Sequence, residues 1–176
     1  MNMGGDAAKA AVLLFAAAIL QVAILDRIVI LHATPDLLLV TLMGVSLQRG
    51  ALFGAAGGFF AGLLVDTADL GTIGLTSLLL TIAGYWIGRY GETTGRDRSH
   101  APFLSVAVVT VAVSIGQLVL HFMIGDHVSA RLVLLDALAP AIALNLLLTP
   151  PLFALCRRLF RPSGWGELST EVRLLG

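Results

Sequence analysis

The chain has little charge, few aromatic rings and almost no cysteine. Of its 176 residues, 12% are charged, 7% are aromatic and one is a cysteine. An ordinary soluble domain carries roughly 25% charged residues, so this chain has too few to cover the surface of a soluble globule. The single Cys156 excludes an intramolecular disulfide, and we interpret it as an apolar filler near the inner end of the last helix.

What the chain has in abundance is apolar sequence. Apolar residues make up 57% of it, and the mean hydropathy is +0.93. A helix needs about 20 mostly apolar residues to cross the hydrocarbon of a bilayer. Runs without a charge recur along the whole length, at residues 10–25, 70–88, 101–125 and 137–156. The pattern predicts an all-α polytopic membrane protein.

We predict a bundle of six transmembrane helices in one domain over residues 1–161. The spans are placed at about residues 8–31, 36–48, 51–66, 72–89, 102–125 and 132–157. The tail 162–176 lacks apolar periodicity and is predicted to be poorly ordered and cytoplasmic. The first span can also be interpreted as a secretory signal with small residues near a cleavage site, but the spans that follow favour a retained helix.

The second span is the difficult one, because residues 37–48 give only about 18 Å of helix. A single helix over 37–65 is the five-span alternative. It overshoots a hydrocarbon core of about 30 Å and places Arg49 near its middle, at a cost of about 2.5–3.5 kcal/mol. A break at Gln48-Arg49-Gly50 avoids that cost and predicts a tight hairpin of two short helices.

The outer end of this second span has suitable residues for a helix start. Either Thr34 or Asp36 can cap it, and Pro35 suits a first turn.

The charges are distributed unevenly about the predicted spans. With both termini inside, only Arg27 and Arg131 fall outside, whereas nine basic residues are cytoplasmic: Lys9, Arg49, Arg89, Arg96, Arg98, Arg157, Arg158, Arg161 and Arg173. The opposite side collects Asp26, Asp36, Asp66, Asp69, Asp126 and Asp136. This is the positive-inside bias of a membrane protein with cytoplasmic termini. A five-span chain can also be oriented to give such a bias, so the span lengths and Arg49 are what favour six.

Glycines recur at every fourth position of the third span. Gly50, Gly54, Gly58 and Gly62 therefore share one helix face, and Gly84 and Gly88 form a shorter pair on the fourth span. Small residues in such a row let another helix backbone approach closely in lipid. Two interpretations are open, internal packing of the bundle or an interface with a partner's transmembrane helix.

Polar residues inside the predicted spans are few. Gln117 and His121 stand four residues apart on the fifth span, and Asn145 lies on the sixth. Polar groups at membrane depth usually face the bundle interior and bond across helices, so we predict all three to be buried. In the turn after the third span, we expect Asp69 to cap the next helix.

No constellation of residues points to catalysis. Asp66-Thr67-Ala68 resembles the motif of aspartic proteases, but that chemistry needs a second carboxylate on a symmetric scaffold. A triad of Ser114, His121 and Asp126 lacks a nucleophile turn. His121 has no accompanying ligands at a metal-binding spacing. We therefore predict a protein that is not an enzyme and has no cofactor or metal.

Short motifs follow one another in a fixed order between residues 34 and 89. They are Pro35-Asp36 before a run of leucines, Arg49-Gly50, the glycine-spaced helix ending in Leu63-Leu64-Val65-Asp66, the turn glycines Gly71 and Gly74, and Gly84-Tyr85-Trp86-Ile87-Gly88-Arg89. In this order and spacing the chain resembles the MreD family of rod shape-determining membrane proteins. The resemblance is clear over residues 34–89 and elsewhere rests on the helix count and the basic C-terminal end.

The resemblance implies a non-enzymatic scaffold in the bacterial cytoplasmic (inner) membrane. Such a scaffold belongs to the cell-elongation or rod complex, also called the elongasome, which builds peptidoglycan and maintains cell shape. Its expected partners are MreC, RodA and a class B penicillin-binding protein, with MreB contacted indirectly. The family motif marks these positions as structural: Pro35, Asp36, Arg49, Asp66, Gly71, Gly74 and Arg89.

The same family is similar in fold to the six-helix substrate-binding component of energy-coupling-factor vitamin transporters. This gives an alternative function, a subunit that binds a small molecule. It would need a polar, aromatic-lined pocket that opens outward, but the outer loops supply only Asp66, Asp69, Asp126, His127 and few aromatic rings. We therefore expect protein partners and lipid, and neither a small-molecule ligand nor nucleic acid.

Overall fold

The computed structural model describes residues 3–69, 72–94, 101–125 and 131–160, and within these ranges the chain forms helices and no strand. A 3₁₀ turn at Leu25–Arg27 follows the first helix, and a π-helical turn at Leu132–Ala137 leads into the last. The tail predicted for residues 162–176 lies outside the described residues. The six helices are α1 Met3–Ala23, α2 Leu37–Arg49, α3 Ala51–Ala68, α4 Leu75–Thr94, α5 Ala101–Ile124 and α6 Leu138–Leu159.

The first helix ends earlier than predicted. We expected it to continue to residue 31, but α1 stops at Ala23 and the chain turns back. Leu31 and His32 take positive φ angles of 51° and 66°, and Ile30 and Ala33 exchange backbone hydrogen bonds of 2.8 and 3.0 Å. Residues 28–31 are apolar again after the charged Asp26 and Arg27, so the hydropathy pattern favours a helix that continues past the observed end.

The short helix α2 lies at the centre of the bundle. Its residues from Leu38 to Leu47 are all buried, and it contacts each of the other five helices. At 13 residues it is about 20 Å long, less than the hydrocarbon thickness. Because protein rather than lipid surrounds α2, it does not itself have to match the thickness of the bilayer.

Four helices are long and apolar enough to cross a membrane: Gly4–Arg27, Ala51–Ala68, Ala101–Ile124 and Leu138–Leu159. The structure is thus that of a helical membrane protein with four candidate spans among the described residues, where the sequence predicted six. α2, with 13 residues, is too short to cross the hydrocarbon of a bilayer on its own. α4 has 20 residues, but its hydropathy is lowered by glycines, hydroxyl side chains and the charged Arg89 and Glu92 near its end.

The glycines of α3 face α4. A Cβ atom built on Gly54 would collide with the Gly84 carbonyl, and one built on Gly84 would collide with that of Gly54. Further along, Gly58 lies against the Leu80 backbone and Gly62 against that of Ser77. Gly88 meets the Ala51 backbone. This row of contacts, the glycine seam, is internal to the bundle, so α4 occupies the face that was also considered for a partner's helix.

Candidate functional site

One end of the bundle is held by a largely buried ion pair, and we call it the inner end after the orientation that the sequence predicts. Arg49 is the last residue of α2, and its Nη2 lies 2.8 Å from Asp6 Oδ2 on α1. The two side chains are only 17% and 16% exposed. The same guanidinium lies 5.0 Å from the centre of the Phe160 ring and donates to the Phe160 carbonyl over 3.4 Å. Arg49 therefore joins α1, α2 and the residue that ends α6.

The predicted break at Gln48-Arg49-Gly50 is where the chain turns from α2 into α3. Gly50 has φ 93° and ψ −176°, a conformation that glycine adopts without steric cost. Glu92 Oε1 on α4 accepts a 2.9 Å hydrogen bond from the Ala51 amide, which is otherwise without a helical partner. The other Glu92 oxygen accepts from the exposed Arg89 at 3.2 Å. Three helices thus meet at the turn.

At the opposite, outer end, a buried amide joins three helices. Asn145 on α6 is 1% exposed, and its Oδ1 accepts from the Asp36 amide at 2.8 Å. Its Nδ2 donates to Thr110 Oγ1 on α5 at 3.0 Å. Asp36 Oδ1 in turn accepts from the Leu39 amide at 2.8 Å, which makes Asp36 the N-cap of α2 as predicted.

A second amide, Gln21, joins α1 to the same helix start. Its Oε1 accepts from the Leu37 amide at 2.8 Å, and its Nε2 donates to Asp26 at 2.6 Å and to the Pro35 carbonyl at 3.2 Å. We did not identify Gln21 from the sequence. The available signal was a single polar side chain within the apolar run 10–25, a position that usually needs a buried hydrogen-bonding partner.

The turn between α3 and α4 corrects one prediction. Asp66, 5% exposed, accepts hydrogen bonds from the amides of Gly74, Thr76 and Ser77 at 2.8, 3.1 and 3.2 Å. It therefore caps α4, and the prediction that Asp69 does so is wrong. α3 continues to Ala68, which turns Asp66 toward the first amides of α4 and leaves Asp69 exposed at the C-cap of α3.

A polar cavity of about 470 Å³ opens between the helices at the outer end. Gln117 and His121 line it from α5, opposite Gln21, Asp36 and Asn145. Gln117 is exposed and His121 half-buried, so the prediction of burial fits Asn145 but not Gln117. At this level α5 borders the cavity. Apart from imidazoles, the described lining contains no aromatic ring.

The remaining family-motif positions lie in turns or at the surface. Gly74 has φ 98° in the α3–α4 turn, Arg89 is exposed, and Gly71 lies outside the described residues. Among the described residues no group of three or more His, Cys, Asp or Glu is arranged to hold a metal ion.

Residues 9–159 match the family described as rod shape-determining protein MreD. The chain belongs to the MreD family. This MreD match runs from within α1 to the end of α6, so it includes the glycine seam, Arg49 and the cavity-lining helices. No curated protein and no solved structure matches the chain, and the likeness to energy-coupling-factor transporters therefore stays a prediction. Membership in the MreD family places the chain in rod-shape determination at the inner membrane.

Proposed function

We propose that this chain is a non-enzymatic scaffold of the rod complex, and that it binds MreC and the peptidoglycan-synthesis proteins RodA and a class B penicillin-binding protein. MreB is contacted indirectly through these partners. The observation that carries the proposal is the MreD family match over residues 9–159, nearly the whole helical part of the chain. A scaffold acts through the surfaces that its helices present, so it needs no reactive site.

We also propose that six segments cross the membrane and that both termini are cytoplasmic. Arg49, Arg89, Arg157 and Arg158 lie where α2, α4 and α6 end, at the inner end of the bundle. Acidic residues lie at both ends, with Asp26, Asp36, Asp66 and Asp69 at the outer end and Asp6 and Glu92 at the inner end. The concentration of arginine at the inner end favours an inner end that faces the cytoplasm. α2 completes its crossing within the protein, enclosed by the other five helices.

The surface offered to partners is one of the remaining apolar faces. The glycine seam is occupied by α4, so a partner's helix cannot use it without displacing α4. Large apolar side chains are exposed elsewhere, with Phe15 at 53%, Leu52 at 77% and Phe60 at 66% on α1 and α3. In lipid such side chains contact either acyl chains or a neighbouring transmembrane helix.

Deletion of the gene and complementation with the wild-type chain test the proposal. We expect deletion to change cell width and to reduce the MreC that is retained with its partners, and complementation to restore both. Uptake of labelled riboflavin, thiamine and biotin is measured in the same strains and should stay unchanged. Normal shape and normal MreC retention, together with a specific uptake defect, would contradict the scaffold and favour the transporter.

A further inference from the structure

The cavity at the outer end has the size of a small-ligand site. Pockets that enclose small molecules usually measure about 300–1,000 Å³, and this one measures about 470 Å³. It lies where α1 and α3 end and where α2, α4 and α6 begin. Polar groups from distant parts of the chain meet there, including Gln21, Thr76, Thr110 and Asn145. Leu39, Leu80 and Val113 add apolar surface.

Hydrogen bonds hold the walls of the cavity in place. Gln21 and Asn145 are 6% and 1% exposed, and both fix the start of α2 by accepting from its first amides. Asn145 also receives a 2.7 Å hydrogen bond from Thr149 at its carbonyl and donates to Thr110. Because α1, α2, α5 and α6 are tied together at this level, the cavity is preorganised.

The side chains that line the cavity carry more negative than positive charge, which favours a cationic ligand. Asp26, Asp36 and Asp69 line the cavity, and the described lining contains no lysine or arginine. One oxygen of Asp26 and one of Asp36 already accept hydrogen bonds, from Gln21 and from the Leu39 amide, and the second oxygen of each has no hydrogen bond to these donors. The imidazoles of His32 and His121 also line it, but two protonated imidazoles would still leave the carboxylates in excess. Partial burial, together with the charges of Asp26 and Asp66, raises the pKa of Asp69. A cation near such a carboxylate favours its charged form.

We propose that this cavity binds a small organic cation that carries an ammonium group. The carboxylates neutralise the ammonium, and the Ser114 and Thr76 hydroxyls accept further hydrogen bonds from N–H or O–H groups of the ligand. The apolar side chains of Leu39, Leu80 and Val113 contact its carbon chain. A free amine can supply this chemistry, and so can the ethanolamine headgroup of a bilayer lipid. The site is separate from the scaffold role, because it needs no other protein and can be measured on the purified chain.

Calorimetric titration of the full chain in a neutral maltoside detergent tests the proposal, with putrescine as the probe. We expect saturable binding of putrescine and no binding of 1,4-butanediol, which has the same carbon chain but no charge. Ionic strength is held constant with sodium chloride. Asp36→Asn keeps an N-cap acceptor and removes the charge, so it should weaken binding about tenfold.

Three further variants guard against a folding defect and against a nonspecific charge effect. Asp69→Asn changes an exposed residue and should weaken binding to a similar extent even where Asp36→Asn fails to fold. Gln117→Trp places a bulky ring at the exposed rim and should abolish binding. Asp136 is exposed in the turn before α6 and does not line the cavity. Asp136→Asn removes one carboxylate charge there and should leave the affinity for putrescine unchanged.

The proposal is overturned if putrescine does not bind saturably, if butanediol binds equally well, or if Asp136→Asn weakens binding as much as Asp69→Asn does. Competition by dihexanoyl phosphatidylethanolamine, but not by the phosphatidylcholine analogue, supports the site and identifies a lipid headgroup as its source of ammonium. Competition by neither supports the site and identifies a free amine.

Discussion

The two ends of this bundle are built in opposite ways. At the inner end, Asp6, Arg49, Glu92 and Phe160 bring α1, the α2–α3 turn, α4 and α6 into direct contact. At the outer end, the helices are joined by the amides of Gln21 and Asn145, and a polar cavity of about 470 Å³ lies between them. The inner end is joined by charged side chains, and the outer end is joined by two buried amides beside a cavity.

The difference shows which part of the molecule has room for function. At the inner end, Arg49 and Glu92 each bond to a neighbouring helix. The outer end fixes the start of α2 with two buried amides, and carboxylate, hydroxyl and imidazole side chains line the cavity beside them. The outer end therefore has the space that the proposed ligand needs, and the inner end supplies contacts between helices.

Both ends depend on the glycine seam, so its disruption should have the largest effect. In Gly54→Leu, four carbons enter a place where a single Cβ already collides with the Gly84 carbonyl. We expect a loss of about 3 kcal/mol in the free energy of unfolding, measured by thermal unfolding of the purified chain in detergent. Ala56→Leu, at an exposed position of the same helix, is the control and should change stability by less than about 0.5 kcal/mol. Equal stability of the two variants would mean that the seam is not tightly packed.

Removal of the inner-end charge should have the next largest effect. Arg49→Leu leaves the Asp6 carboxylate without its partner, and we expect a loss of about 2 kcal/mol, since both groups are mostly buried. The double variant Asp6→Asn with Arg49→Leu should recover most of it. Chemical denaturation of the four members of this cycle measures the coupling. Arg89→Leu is the matched control, because its pair with Glu92 is 55% and 37% exposed and should contribute less than about 0.5 kcal/mol. No recovery in the double variant would contradict the ion pair.

The outer end should be sensitive to Asp66 and insensitive to Asp69. Asp66→Ala removes the acceptor of three amides at the start of α4, and we expect a loss of about 1.5 kcal/mol in unfolding free energy. Asp69→Ala, three residues away and exposed, should cost less than about 0.5 kcal/mol. The same thermal assay compares the two. A larger loss in Asp69→Ala would restore the cap that the sequence favoured.

The sequence predicts this architecture wherever one residue type carries a clear physical constraint. A glycine at every fourth position favours a close helix contact, and the seam between α3 and α4 is such a contact. An arginine after only 12 uncharged residues requires a turn near Arg49. By contrast, Asp66 and Asp69 are both acceptable caps by composition, and only the exact end of α3 decides between them.

The cavity was not predicted because no local pattern encodes it. Gln21, Thr110 and Asn145 lie far apart in the chain, and each belongs to a different apolar run. Their convergence depends on how α1, α5 and α6 pack around α2. The early end of α1 was missed for a related reason, since the turn at Ile30–Ala33 is stabilised by its own backbone hydrogen bonds and not by glycine or proline.

Thiol labelling of spheroplasts tests the contrast between the two ends most directly. In a Cys156→Ala background, single cysteines replace Gln117 at the cavity rim, Asp69 beside it, and the exposed Thr93 at the inner end of α4. We predict that a membrane-impermeant maleimide labels Gln117→Cys and Asp69→Cys in intact spheroplasts, and that it labels Thr93→Cys only after permeabilisation. Labelling of Thr93→Cys from outside, with Gln117→Cys protected or equally reactive, would contradict an inner end that faces the cytoplasm and a cavity that opens outward.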